Sequence, residues 1–156
     1  MNDNLAIEIM IIDDSMNDVE LIVRALKKIN LANKLVHLKD GVEGVEFIFC
    51  EGKYKGRDFN NQPRVILLDL KMPRMNGLEV LAKIKENEHT KSIPVVILTS
   101  SKEDPDIRRA YELGVSSYIV KPVDFDNFSK AVAELGFYWL LLNEQPKYNI
   151  LDNTSL

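Results

Sequence analysis

The sequence predicts an α/β fold, a doubly wound five-stranded parallel sheet with helices on both faces. Three observations lead there. Short apolar runs alternate with amphipathic segments five times along the chain, the pattern of repeated βα units around a parallel sheet. Four of those runs end in polar chemistry: Asp13-Asp14, Asp69, Thr99 and Lys121. The length of 156 residues suits one domain with a substantial core. It falls short of the roughly 250 residues that an eight-unit barrel needs.

Each element has its own justification. Residues 7–12 read as the first strand, being short, isoleucine-rich and almost continuously apolar, as a strand covered on both faces is. Ser15 then supplies an oxygen-bearing helix cap with an acid, Asp18, three residues later. Leu21, Ile22, Ala25, Leu26 and Ile29 follow at helical spacing. Residues 35–38 form a second, weaker strand. Asp40 can cap the next helix, whose apolar face uses Val42, Val45, Ile48 and Phe49. The polar stretch 51–63 reads as a long loop. Then come strand 65–68, helix 78–84, strand 95–98, a helix after Pro105, strand 118–120 and a helix after Asp124. Asn76-Gly77 reads as the turn before the third helix.

The last helix carries an unusual stripe. Phe128, Val132, Leu135, Trp139 and Leu142 step by four and three, so they share one face. The stripe runs through Gly136, at a cost of about 1 kcal/mol relative to alanine, into the dense apolar run 137–142. Packing within the domain and association with another chain both account for it. The expected organisation is a domain over residues 1–143 with an extended last helix, and a polar tail over 144–156.

Composition narrows the function. Hydrophobic residues at 46% and charged residues at 28% fit a soluble globular chain. A net charge of -4 leaves no electrostatic footprint for nucleic acid. The single cysteine, Cys50, excludes an internal disulfide, which suits the cytoplasm. No apolar stretch approaches the roughly 18 residues of a membrane span, and no signal peptide opens the chain. His37 and His89 lack metal-ligand spacing.

Open parallel sheets bind ligands at the carboxyl ends of their strands, where the polar residues sit. Asp13, Asp14 and Asp69, brought together, need a proton or a cation. Hard carboxylate oxygens suit Mg2+. A carboxylate can also attack phosphorus to give an acyl phosphate, a reaction that asks mainly for positioning and charge neutralisation. Lys121 offers positive charge and Thr99 a hydroxyl. Singly, each residue has an ordinary structural explanation as a cap, turn or solvated residue. Four strand ends with complementary chemistry point together to phosphoryl transfer.

The pieces 11–15 (IIDDS), 67–73 (LLDLKMP), 75–77 (MNG), 97–100 (ILTS) and 118–122 (YIVKP) resemble the receiver domains of two-component response regulators, in order and spacing, over roughly residues 6–135. The resemblance implies a flavodoxin-like fold with strand order 2-1-3-4-5. It implies Asp69 as phosphoacceptor and Asp14, Asp69 and the Lys71 carbonyl as Mg2+ ligands, with Asp13 acting mostly through a metal-bound water. Thr99 and Lys121 would contact the phosphoryl group, Tyr118 would be the aromatic switch, and Pro122 matches a customary cis-proline site. Lys71 and Ser101 fall at variable positions beside the site. Lys71 either adds charge at the pocket mouth or points into solvent.

Three further segments, 15–18, 51–63 and 123–144, are similar to the single-domain regulators that partner phytochrome-type histidine kinases. That subgroup can dimerise through its helix 4–strand 5–helix 5 face. The expectation is therefore a single-domain phosphorelay regulator that accepts phosphate from a histidine kinase and switches a surface for a downstream protein. It would carry no DNA-binding output domain, since only 14 residues follow Leu142. It would not be an enzyme beyond its own phosphorylation and dephosphorylation. The alternative, a Mg2+-dependent phosphatase with an aspartyl-phosphate intermediate, ordinarily needs an acid two residues after the nucleophile, where this chain has Lys71.

Overall fold

The structure, a computed structural model, describes residues 9–28 and 34–135. Its five strands are β1 (Ile9–Ile12), β2 (Leu35–Leu38), β3 (Val65–Asp69), β4 (Val95–Thr99) and β5 (Ser117–Val120). They form one sheet in the order β2-β1-β3-β4-β5, with every neighbouring pair parallel. The crossovers are α1 (Met16–Lys27), α2 (Gly41–Ile48), α3 (Gly77–Glu86) and α4 (Asp106–Leu113), and α5 (Phe125–Leu135) follows the last strand.

Continuous apolar strands make sense once both faces are covered. Ile9 and Ile11 of β1 join Ile22, Leu26 and Phe128 from α1 and α5 in one core. Met10 and Ile12 point the other way, into a core with Leu81, Ile84 and Ala110 from α3 and α4. β1, β3 and β4 are buried throughout, whereas the edge strand β2 is mostly half-buried, which explains its weaker signal in the sequence.

Register sets where the strands end. Ile12 pairs with both Leu38 and Leu68, Asp69 with Leu98, and Thr99 with Val120. The residues that follow these pairs therefore gather along one edge of the sheet.

The helix starts obey their capping residues. Ser15 Oγ accepts from the Asp18 amide (3.2 Å), and Asp40 Oδ1 accepts from the Glu43 amide (2.8 Å). Asn76 is more than a turn residue. Its Oδ1 accepts from the Glu79 amide (3.0 Å) while Glu79 Oε1 accepts from the Asn76 amide (2.9 Å), a complete capping box. Gly77 must be glycine for space: a Cβ there would run into the Asp69 carbonyl oxygen. This glycine lets α3 begin directly against the end of β3.

The stretch 51–63 is not wholly irregular. It contains a 3-10 turn at Gly52–Tyr54, fastened by the Tyr54 hydroxyl donating to Glu43 Oε2 (2.7 Å) and by edge-on contact with Phe47 (5.0 Å). The Trp139 and Leu142 part of the stripe, the domain end at 143 and the tail 144–156 lie outside the described residues. Among the described residues, no helix is long and apolar enough to cross a membrane.

Candidate functional site

β1, β3 and β5 deliver the charged groups of the site. Asp13, Asp14 and Asp69 each place a carboxylate oxygen within 4.8 Å of the others. Asp13 is fully buried, Asp69 is nearly so, and Asp14 is exposed. Lys121 closes the group from β5. Its Nζ lies 3.0 Å from Asp13 Oδ2, 3.3 Å from Asp69 Oδ1 and 2.7 Å from Asp18 Oδ2.

The backbone fixes these positions. The Lys121 amide donates to the Thr99 carbonyl (2.7 Å), which carries the ladder one residue past β5. The Lys121–Pro122 peptide bond is cis, as the resemblance implies. Asn127 Nδ2 donates to the carbonyls of Val120 (3.0 Å) and Pro122 (3.1 Å), tying this loop to α5. Asp13 Oδ1 accepts from the Ser15 amide (2.9 Å), which orients that carboxylate. The His37 ring donates from Nε2 to the Asp13 carbonyl (2.8 Å), so this histidine buttresses the site's backbone.

Electrostatics follow from crowding. Burial, and then the neighbouring Asp13 charge, push the Asp69 carboxyl up to about 7, against the opposing pull of Lys121. Burial works against the Lys121 ammonium, but hydrogen bonds to Asp18 and Asp13 outweigh it and hold its pKa above the ordinary lysine value.

The chemistry of the donors fits a divalent cation. Three carboxylates face one small space with a single ammonium to balance them. Asp13 Oδ2 is fully buried, with the Lys121 ammonium 3.0 Å away. Hard oxygen donors of this kind suit Mg2+ or Mn2+.

Thr99 and Lys71 both make their side-chain contacts with the segment 101–106. The Thr99 hydroxyl donates to the Ser101 carbonyl (3.1 Å) and lies 3.5 Å from Asp104 Oδ2. Lys71 Nζ lies 3.3 Å from Asp106 Oδ2 and 3.7 Å from Asp104 Oδ2. The Lys71 side chain is largely exposed and its ammonium is directed at the acids before and at the start of α4. The Tyr118 ring is half-buried and meets Tyr111 edge-on at 6.5 Å. Two residues escaped the sequence reading. Asp18 looked like a capping acid, and Asp104 lay in a stretch with no pattern. An acid one helical turn beyond Asp14 was the available signal for Asp18; Asp104 had none.

Comparison with known proteins agrees with this geometry. Residues 9–133 match the family described as response regulator receiver domain. The chain belongs to that family. The receiver is 38% identical to the probable methanogenesis regulatory protein FilR2 of Methanothrix harundinacea, over 88% of this chain and 86% of that protein. It is 36% identical to the response regulator Rcp1 of Synechocystis, over 85% of this chain and 88% of that one. Among solved structures, the bacteriophytochrome response regulator AtBRR is 45% identical, with 89% of this chain and 99% of that chain covered and a TM-score of 0.74. The Mn(2+)-bound form of Rcp1 is 36% identical, covering 84% and 93%, with a TM-score of 0.70.

The chain is thus a response-regulator receiver domain with a two-component phosphorelay role, and bacteriophytochrome response regulators are among its relatives. Those relatives are response regulators rather than classical enzymes. The phosphatase alternative is not favoured, and Lys71 stands where that chemistry wants an acid.

Proposed function

We propose that Asp69 is the phosphoacceptor and that a histidine kinase is its donor. The observation that carries this reading is the pairing of a buried carboxylate, Asp69, with Lys121 and two further acids at one sheet edge. Asp69 Oδ1 takes the contact with Lys121 and a long one (3.4 Å) from the Lys71 amide, leaving Oδ2 as the attacking oxygen. That oxygen forms a bond to phosphorus as the N–P bond of a phosphohistidine breaks and the imidazole leaves. Lys121 neutralises the charge that gathers on the phosphoryl oxygens.

Mg2+ is the proposed metal; Asp14, Asp69 and the Lys71 carbonyl would hold it, and Asp13 would act mostly through water. When bound, it supplies positive charge to the phosphoryl oxygens. Thr99 then exchanges its bond to the Ser101 carbonyl for one to the phosphoryl group. Its movement opens space into which the Tyr118 ring turns, and the α4–β5–α5 face changes shape as a two-state surface.

The partner side of the reading is a phytochrome-type kinase upstream and an unidentified protein downstream. Support comes from the phytochrome-associated relatives. A homodimer through the α4–β5–α5 face, a receiver domain spanning 1–143 with tail 144–156, and residence in the cytoplasm complete it.

Incubation with acetyl phosphate and Mg2+, read by intact-mass spectrometry, tests the assignment. The unsubstituted chain gains one phosphoryl group and Asp69→Asn gains none. Full uptake by the variant would sink the assignment.

A further inference from the structure

We propose that Asp18 is a positioning residue that holds the Lys121 ammonium beside the metal-binding carboxylates, so that a divalent cation and the lysine occupy the pocket together. The proposal rests on the reading of Asp13, Asp14 and Asp69 as the acidic metal site.

The geometry singles Asp18 out. Its Oδ2 is 2.7 Å from Lys121 Nζ, closer than either Asp13 or Asp69. Asp18 stands on the first turn of α1, outside the cluster of mutually close acids. An acid in this position ordinarily reaches back to the cap amide and closes a capping box. Here the Ser15 amide is already taken by Asp13 Oδ1 (2.9 Å). The Asp18 carboxylate is therefore released toward β5, where it meets the lysine.

Charge explains the need. A cation entering the site competes with Lys121 for Asp13 and Asp69, the two carboxylates they would share. The lysine backbone cannot retreat, because its amide is tied to the Thr99 carbonyl and the loop behind it to Asn127. Only the side chain can yield, and it needs a carboxylate the metal does not use. Asp18 is that carboxylate. It also leaves the ammonium within reach of oxygens arriving on Asp69, since the two contacts are already simultaneous.

The test is a double-mutant cycle read by calorimetric titration of Mg2+ into metal-free chain, with no phosphoryl donor present. Asp18→Asn should weaken Mg2+ binding by about 3- to 10-fold, and by less than about 1.5-fold when Lys121→Met is already present. Asp18→Glu, which keeps the charge on a longer arm, should stay within about 2-fold of the unsubstituted chain. Equal weakening with and without Lys121 would reduce Asp18 to plain surface charge and overturn the proposal. So would unchanged affinity in Asp18→Asn, or a Glu variant as weak as the Asn one. Absence of Mg2+ binding by the unsubstituted chain would sink the metal site itself and the proposal with it. Phosphoryl uptake at Asp69 is a separate measurement, so its failure is distinguishable from each of these.

Discussion

Replacing Asp69 by asparagine should make the metal-free protein more stable at alkaline pH, although it removes the proposed reactive group. The Asp69 carboxyl sits at about 7 in the folded chain, against an ordinary value of 3.8. A group whose pKa is raised on folding favours the folded state below its unfolded value, and that contribution fades as pH rises through the folded one. Between about pH 4 and 7 the folded chain keeps a proton on Asp69 that the unfolded chain has released, so stability falls across that window. At about 1.4 kcal/mol per pH unit, the whole interval is an upper limit of about 4 kcal/mol. Screening by solvent at the pocket mouth and the proximity of Lys121 reduce this to about 1–3 kcal/mol. Asp69→Asn has no proton to lose. Urea denaturation in chelator at pH 5 and pH 8 measures the difference. The variant's advantage should widen by about 1–2 kcal/mol between the two. An equal gap at both pH values, or a variant less stable at pH 8, would refute the reasoning that burial and Asp13 disfavour the charge.

Two predictions concern the frame around the site. Asn76→Ala removes one half of the α3 capping box and should cost about 1 kcal/mol in urea denaturation; no loss would mean the cap is not formed in solution. Gly77→Ala drives a Cβ into the Asp69 carbonyl oxygen, so it should cost about 1–3 kcal/mol and also slow phosphoryl uptake from acetyl phosphate. Wild-type uptake in a destabilised variant would show that α3 can shift without disturbing Asp69.

The sequence conveyed the sheet because both faces of β1, β3 and β4 are buried, which leaves unbroken apolar runs with chemistry at their ends. Asp13, Asp14 and Asp69 were legible for the same reason, as they follow or end buried strands; Lys121 follows the half-buried edge strand β5, and register brings it beside them. The 3-10 turn at Gly52–Tyr54 was not legible, because it is held by Glu43 and Phe47 from another element. Asp18 followed a local rule in its backbone and broke it in its side chain, since Asp13 had claimed the amide that Asp18 was expected to cap. The bonding of the Thr99 hydroxyl was also hidden, because its partners belong to the irregular loop before α4.

The central claim is that the phosphoryl group forms an acyl phosphate on Asp69. Borohydride reduces such a bond to an alcohol, which converts the modified aspartate to homoserine. Phosphorylation by a partner histidine kinase, followed by reduction and peptide mass mapping, locates that change. The account predicts homoserine at position 69 alone, only in the phosphorylated sample. Homoserine at position 13 or 14, or none anywhere after full phosphate uptake, would contradict it.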